Sequence, residues 1–274
     1  MLSRQTSSEG TVSSFDGTPI HYRRGGEGKP PLVFVHGWSC DGRLWDGQLS
    51  RLARGYGVVA LDLGGHGRSG RGRKDWTIPA FGGDVRAVVE RLDLKEVVLI
   101  GHSMGGPVVL ETARIVPQRV RAVVLVDTIH DAEFAPGSGA VDTAIEPFQA
   151  DFKAAAEKFV RERLFVPASP PQVVSRVVAE ISTAAPAIAV SALRHSWSYD
   201  PRPALREIRC PIRAINSDLF PTNLEANRRH APDFEARILR GVGHYPMLEE
   251  PTRFNELLEQ TFRELTTAQK GNQS

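Results

Sequence analysis

The feature that most constrains this fold is the apolar run Val97-Val98-Leu99-Ile100. It passes directly into Gly101-His102-Ser103-Met104-Gly105-Gly106 and on into Val108-Val109-Leu110. A β-branched run, a glycine-flanked turn and a helical apolar segment describe one strand–turn–helix unit. The unit also constrains chemistry. A serine at the tip of so tight a turn is held in a strained backbone conformation with its hydroxyl outward, and glycines beside it spare neighbouring strand and helix a collision. The first N–H groups of the following helix point at the same spot, where they favour developing negative charge. A Gly-x-Ser-x-Gly pattern alone is a weak signal; its setting between strand and helix gives it weight.

Along the rest of the chain, apolar runs alternate with amphipathic segments, the pattern of an α/β protein with a mostly parallel sheet flanked by helices. Val12–Phe15 and Ile20–Arg23, joined through Asp16-Gly17, predict an opening hairpin. Further strands are predicted at Leu32–Val35, Val58–Leu61, Val97–Ile100, Val123–Val126, Ile212–Ile215 and Ala236–Leu239, making eight in all. Helices are predicted at Leu44–Ala53, Ile78–Leu92, Met104–Ile115, Thr222–His230 and about Thr252–Leu265. The alternation fails between Ile129 and Pro203, where convincing strands are missing and helical pieces at Ala154–Ala156 and Val173–Ile181 are cut by prolines. Such a stretch is too long for a plain loop. The expected organisation is a core domain of residues 1–128 and 204–274 with a helical cap inserted at 129–203, its first part, Phe134–Asp142, a Gly/Ala/Pro-rich mobile segment.

Bulk properties narrow the function. A net charge of +2, with scattered positive residues, argues against nucleic acid or an anionic membrane as partner. No apolar run approaches a membrane span, and the polar stretch Met1–Gly10 lacks the apolar core of a secretory signal. Two cysteines, Cys40 and Cys210, fit a reducing compartment and supply neither a disulfide framework nor a metal site. A cytoplasmic protein, monomeric or homodimeric and without metal or organic cofactor, is the expectation.

A neutral serine hydroxyl is a poor nucleophile and needs a base, and the base needs an orienting group. His244, in Gly241-Val242-Gly243-His244-Tyr245-Pro246, sits in a glycine-rich loop after a predicted strand and is the expected base. His102 and His66, in turn motifs, are expected to bond backbone. Two carboxylates compete for the third place. Asp218 follows the seventh predicted strand and is preferred; Asp127 ends the sixth and is the alternative, with a loop-capping role as its plainer reading. Oxyanion donors are expected from the backbone N–H of Met104 and from the loop His36-Gly37-Trp38, where Trp38 supplies its N–H and lines an acyl pocket with its indole. His36, Gly37, His130 and Trp197 are further candidates for the pocket.

Together these residues resemble the α/β-hydrolase superfamily, in its esterase and lactonase branch with a helical cap. The resemblance covers most of the chain. It includes His36-Gly37-Trp38 with Trp45 and Gln48, the turn Asp62-Leu63-Gly64-Gly65-His66-Gly67-Arg68-Ser69, the elbow at Ser103 and the terminal Gly-x-Gly-His at His244. Members usually carry Gly, two residues and Asp after the seventh strand; Asn216-Ser217-Asp218 lacks that glycine. The resemblance implies acyl transfer from a small or medium carboxylic ester, lactone or thioester to water, with the cap largely setting substrate choice. Serine at the elbow disfavours epoxide hydrolysis and dehalogenation, which use Asp there. Carbon–carbon bond hydrolysis and perhydrolysis use the same triad, and some relatives are small-molecule receptors with little turnover.

Overall fold

The computed structural model describes residues 8–267; most of the polar N-terminal stretch weighed above as a signal lies outside them. Eight strands form one sheet in the order β1-β2-β4-β3-β5-β6-β7-β8. They are β1 (Ser8–Ser13), β2 (Pro19–Gly25), β3 (Leu32–Val35), β4 (Val58–Leu61), β5 (Val97–His102), β6 (Val120–Val126), β7 (Ile212–Ser217) and β8 (Glu235–Leu239). β1 and β2 pair antiparallel, as do β2 and β4; every later pairing is parallel. Every residue of β3, β4 and β5 is buried, as unbroken apolar strands must be when both sheet faces are covered.

The covering helices are α1 (Asp46–Leu52), α2 (Ile78–Arg91), α3 (Gly105–Ile115), α9 (Leu224–His230), α10 (Pro246–Glu249) and α11 (Pro251–Thr267). Between β6 and β7 lie five more: α4 (Ser138–Ala150), α5 (Phe152–Arg163), α6 (Pro171–Ser182), α7 (Pro186–Trp197) and α8 (Arg202–Glu207). Two differences from the sequence reading stand out. The segment Phe134–Asp142, expected to be loose, runs into α4 from Ser138 onward. α7, unassigned from sequence, starts with Pro186 at a position that needs no N–H donor.

The connectivity explains where a site can form. From β3 the chain moves to β4 on one side, then returns past β3 to β5 on the other. The loops leaving the C-terminal ends of β3 and β5 therefore diverge and leave a crevice between them, the usual ligand position in open parallel sheets. The loop from β3 carries His36, Gly37 and Trp38, and the turn from β5 carries Ser103. Among the described residues no single helix is long and apolar enough to cross a membrane.

Candidate active site

Ser103 stands between β5 and α3 with φ +53°, a left-handed conformation that a residue with a side chain adopts at a cost of about 1–3 kcal/mol. Its surroundings enforce it. The Ser103 N–H bonds the Val126 carbonyl at 3.0 Å, and its carbonyl accepts the Gly106 N–H at 2.9 Å. The turn closes so tightly that a Cβ on Gly101 would lie 2.2 Å from the Gly105 carbonyl oxygen, and one on Gly105 would lie 2.7 Å from that of His36. Strand, turn and helix thus meet only with glycine at both positions. Met104 occupies the N-cap of α3, and Gly37 lies so close that a Cβ there would sit 3.1 Å from that of Ser103.

His244 lies beside the elbow, its ring centroid 4.8 Å from that of His102. Its Nδ1–H donates to Asp127 Oδ2 at 2.6 Å, since a carboxylate can only accept. This leaves Nε2 of the neutral ring as the basic nitrogen. The backbone of His244 is also held: its N–H donates to the Leu164 carbonyl at 2.7 Å, and its carbonyl accepts from His102 Nε2 at 2.7 Å. His102 is fully buried, and that burial, aided by repulsion from His244, lowers its pKa to about 3. It remains a neutral donor. His66 is spent in the same way, bonding the Gly64 carbonyl at 2.9 Å.

Of the two candidate carboxylates, Asp127, the alternative, is the one that meets His244, and Asp218, the preferred one, does not. Asp218 is exposed, and its Oδ1 accepts the Gly241 N–H at 2.8 Å, so it braces the turn after β8. Asp127, at 1% exposure, holds His244 instead. Register explains the exchange. β6 and β7 run parallel with Val126 opposite Ile215, and the Asp127 N–H bonds the Ile215 carbonyl at 3.0 Å. Asp127 therefore leaves the sheet at the level of Asn216, with φ +47°, while Asp218 lies beyond the end of β7.

Asp127 is closely supported. Oδ1 accepts the Ser217 N–H at 2.6 Å, and His130 Nε2 stands 3.4 Å from the same oxygen. Burial alone would raise its pKa; hydrogen bonds and charge from His130 and His244 outweigh burial and hold it well below the ordinary carboxylate range. The loop that follows is strained again at Ile129, φ +48°. Buried Asn227 locks it, giving Nδ2–H to the Ile129 carbonyl and accepting the Ala132 N–H, both at 2.8 Å.

The candidate pocket residues part company. His36 is fully buried, donates from Nδ1 to the Gly37 carbonyl at 2.8 Å and accepts the Leu63 N–H on Nε2 at 3.0 Å. With both ring nitrogens spent on backbone, it struts the β3 and β4 loops. His130 reaches Asp127. Trp38 buries its indole, which donates to the Ala189 carbonyl at 2.7 Å and meets Phe148, Phe152 and Phe159 edge-on. Trp197 closes the same aromatic cluster against Phe148 and Phe159. The Asp62 turn is structural, its carboxylate accepting the Gly42 and Arg68 N–H groups. A separate cavity of about 370 Å³ lies beside the β3 loop, lined by His21, Ser39, Asp62, His66, Arg68 and Glu180 among others; neither Ser103 nor His244 borders it.

A family model described as the alpha/beta hydrolase family matches residues 32–257, the whole span from β3 into α11. This chain belongs to the alpha/beta hydrolase family. Over 123 residues it is 43% identical to a non-heme chloroperoxidase of Streptomyces lividans, a match covering 44% of this chain and 45% of that protein. The chain thus spans just under half the length of that relative. Its fold is similar to that of a thermophilic esterase from Thermogutta terrifontis, with a TM-score of 0.82, 22% identity and coverage of 94% of this chain and 99% of that one. It is also similar to a solved N-acyl homoserine lactone degrading enzyme, with a TM-score of 0.77, 27% identity and coverage of 92% and 99%. This member of the family and the two solved enzymes share one fold.

Proposed function

We propose that this chain is a serine hydrolase that cleaves small or medium carboxylic esters, lactones or thioesters through an acyl-enzyme. The observation that carries the reading is the 2.6 Å bond from His244 Nδ1 to buried Asp127, with the His244 ring packed on His102 beside a strained Ser103. Ser103 Oγ attacks the substrate carbonyl carbon as His244 Nε2 takes its proton. Asp127, ionised, steadies the imidazolium that results. The N–H groups of Met104 and Trp38 hold the oxyanion. Collapse expels the leaving group, which takes the proton from His244. A water then gives its proton to His244 as its oxygen attacks the acyl carbon, and a second collapse frees the acid and restores Ser103.

In this reading helices α4–α7 form the cap, and the aromatic cluster of Trp38, Phe148, Phe159 and Trp197 is its apolar underside beside the acyl site. Two free cysteines fit a reducing, cytoplasmic setting. The likeness to a chloroperoxidase favours perhydrolysis as a second reading, with hydrogen peroxide replacing water at the acyl-enzyme. A panel of p-nitrophenyl esters and lactones, run on wild type and Ser103→Ala with and without peroxide and bromide, tests both. Ester turnover lost in a folded Ser103→Ala supports the hydrolase; turnover retained there refutes it. Halogenation that needs peroxide and an acyl donor supports the second reading.

A further inference from the structure

Resting on that reading of Ser103 and His244, we propose that Glu249 is a positioning residue for His244 and that the cap, through Ser169 and Leu164, holds Glu249 and the base loop in register. Glu249 is 6% exposed and ends the short helix α10. There its carboxylate turns back to the loop before that helix. Oε2 accepts the Gly243 N–H at 2.8 Å, and Oε1 accepts the Tyr245 N–H at 3.1 Å. These are the residues on either side of His244. One carboxylate therefore fixes the peptide planes that flank the base, and with them the direction in which its imidazole projects.

The cap completes the mounting from the other side. Ser169 Oγ–H donates to Glu249 Oε2, so the oxygen that holds Gly243 is itself held by the cap. The Leu164 carbonyl, at the C-terminal end of α5 where helical carbonyls lack intrahelical partners, accepts the His244 N–H at 2.7 Å. Phe165 stacks on Tyr245, with ring centroids 5.5 Å apart. The bond to Tyr245, the N-cap of α10, is of the capping kind, but the bond to the Gly243 N–H reaches past the cap to the residue before His244, so that the carboxylate brackets the base. The oxyanion loop is tied to the same body, through Trp38 Nε1–H and the Ala189 carbonyl. Both loops that the proposed chemistry needs therefore hang on the cap, while the nucleophile sits on the sheet. A cap exchanged for another would have to reproduce the Leu164 carbonyl and the Ser169 hydroxyl for His244 to be aimed.

Glu249→Gln, Ser169→Ala and the double variant test this on the full chain. The readouts are kcat and KM for a p-nitrophenyl ester, fluorophosphonate labelling rate, melting temperature, and the downfield proton resonance of the His244–Asp127 bond. Small displacements of a catalytic group cost up to about 100-fold in rate. Glu249→Gln is expected to lower kcat by about that factor with KM within about threefold, since substrate does not touch it. Ser169→Ala should lower kcat by about tenfold, and the double variant should be no worse than Glu249→Gln because both act through one carboxylate. The downfield proton should shift or broaden in both single variants. Unchanged kcat in a folded Glu249→Gln overturns the proposal, as does a rise in KM alone. If Glu249→Gln does not fold, unchanged kcat and an unmoved proton resonance in Ser169→Ala overturn it. Wild type that neither labels nor turns over refutes the hydrolase reading instead, and the proton resonance then still decides whether Glu249 and Ser169 position His244.

Discussion

Asp127→Asn isolates the role of the buried carboxylate, because the asparagine can keep the fold while reversing the chemistry. Its amide oxygen can take the place of Oδ1 and accept the Ser217 N–H, now bonded at 2.6 Å. Its NH2 then occupies the place of Oδ2, 2.6 Å from His244 Nδ1, and donates where the carboxylate accepted. Nδ1 must become the acceptor, so the ring proton moves to Nε2, the nitrogen that should receive the Ser103 proton. The base is present in the wrong tautomer, and the imidazolium loses the charge that stabilised it. In a related triad this substitution lowers kcat by about 10,000-fold, or roughly 5.5 kcal/mol at about 1.4 kcal/mol per tenfold. We expect a loss of that order in kcat, with KM little changed and with fluorophosphonate labelling of Ser103 slowed in parallel. Asp218→Asn, whose exposed side chain braces only the Gly241 N–H, should stay within about threefold of wild type. Stopped-flow ester hydrolysis with circular dichroism for folding measures both. A folded Asp127→Asn near wild-type rate, beside a dead Asp218→Asn, refutes the reasoning.

Asn227→Ala removes both bonds that lock the strained Ile129 loop, leaving a buried N–H and carbonyl unpaired; a loss of roughly 2–4 kcal/mol in urea unfolding is expected, with lower kcat as Asp127 loosens. Unchanged stability would show that the loop holds itself. The pH profile follows from Asp127. Its folded pKa is depressed below the reference value of 3.8, so its ionisation stabilises the fold above that value and the contribution is lost as pH falls through the lower folded value. The carboxylate therefore stays charged well below the reference value of a free carboxyl. The acid limb of kcat/KM should therefore have the slope of a single proton; a steeper limb means that Asp127 titrates with the base.

The strand–turn–helix unit and most of the sheet were legible in the chain because their signals are local. The run Val97–Ile100 followed by glycines specifies the elbow within one stretch of sequence, and the glycine-rich loop marks His244. Leu32–Val35 and Val58–Leu61 were found to the residue, since strands buried on both faces carry no polar interruption. Which carboxylate meets His244 was not legible because it depends on register between β6 and β7. One strand ends at Val126 and the other runs on to Ser217, a non-local pairing that spacing along the chain does not encode. The missing glycine before Asp218 was the one available warning. Glu249 and Ser169 escaped for the same reason: they are 80 residues apart and acquire meaning only when the insertion folds back on the loop of His244. α4 was hidden by its composition: Gly137, Gly139 and Ala140 are exposed and read as a loose segment, while the buried residues that seat the helix, Val141, Ile145 and Phe148, follow at helical spacing further along.

The central claim is that Ser103, driven by His244 and Asp127, is the nucleophile. Its most direct test is mass spectrometry of protein treated with a fluorophosphonate, with the modified peptide sequenced in wild type, Ser103→Ala and Asp127→Asn. The account predicts one adduct on Ser103 in wild type, none in Ser103→Ala, and markedly slowed labelling in Asp127→Asn. An adduct on another residue, or none in a wild type that still hydrolyses esters, would contradict it.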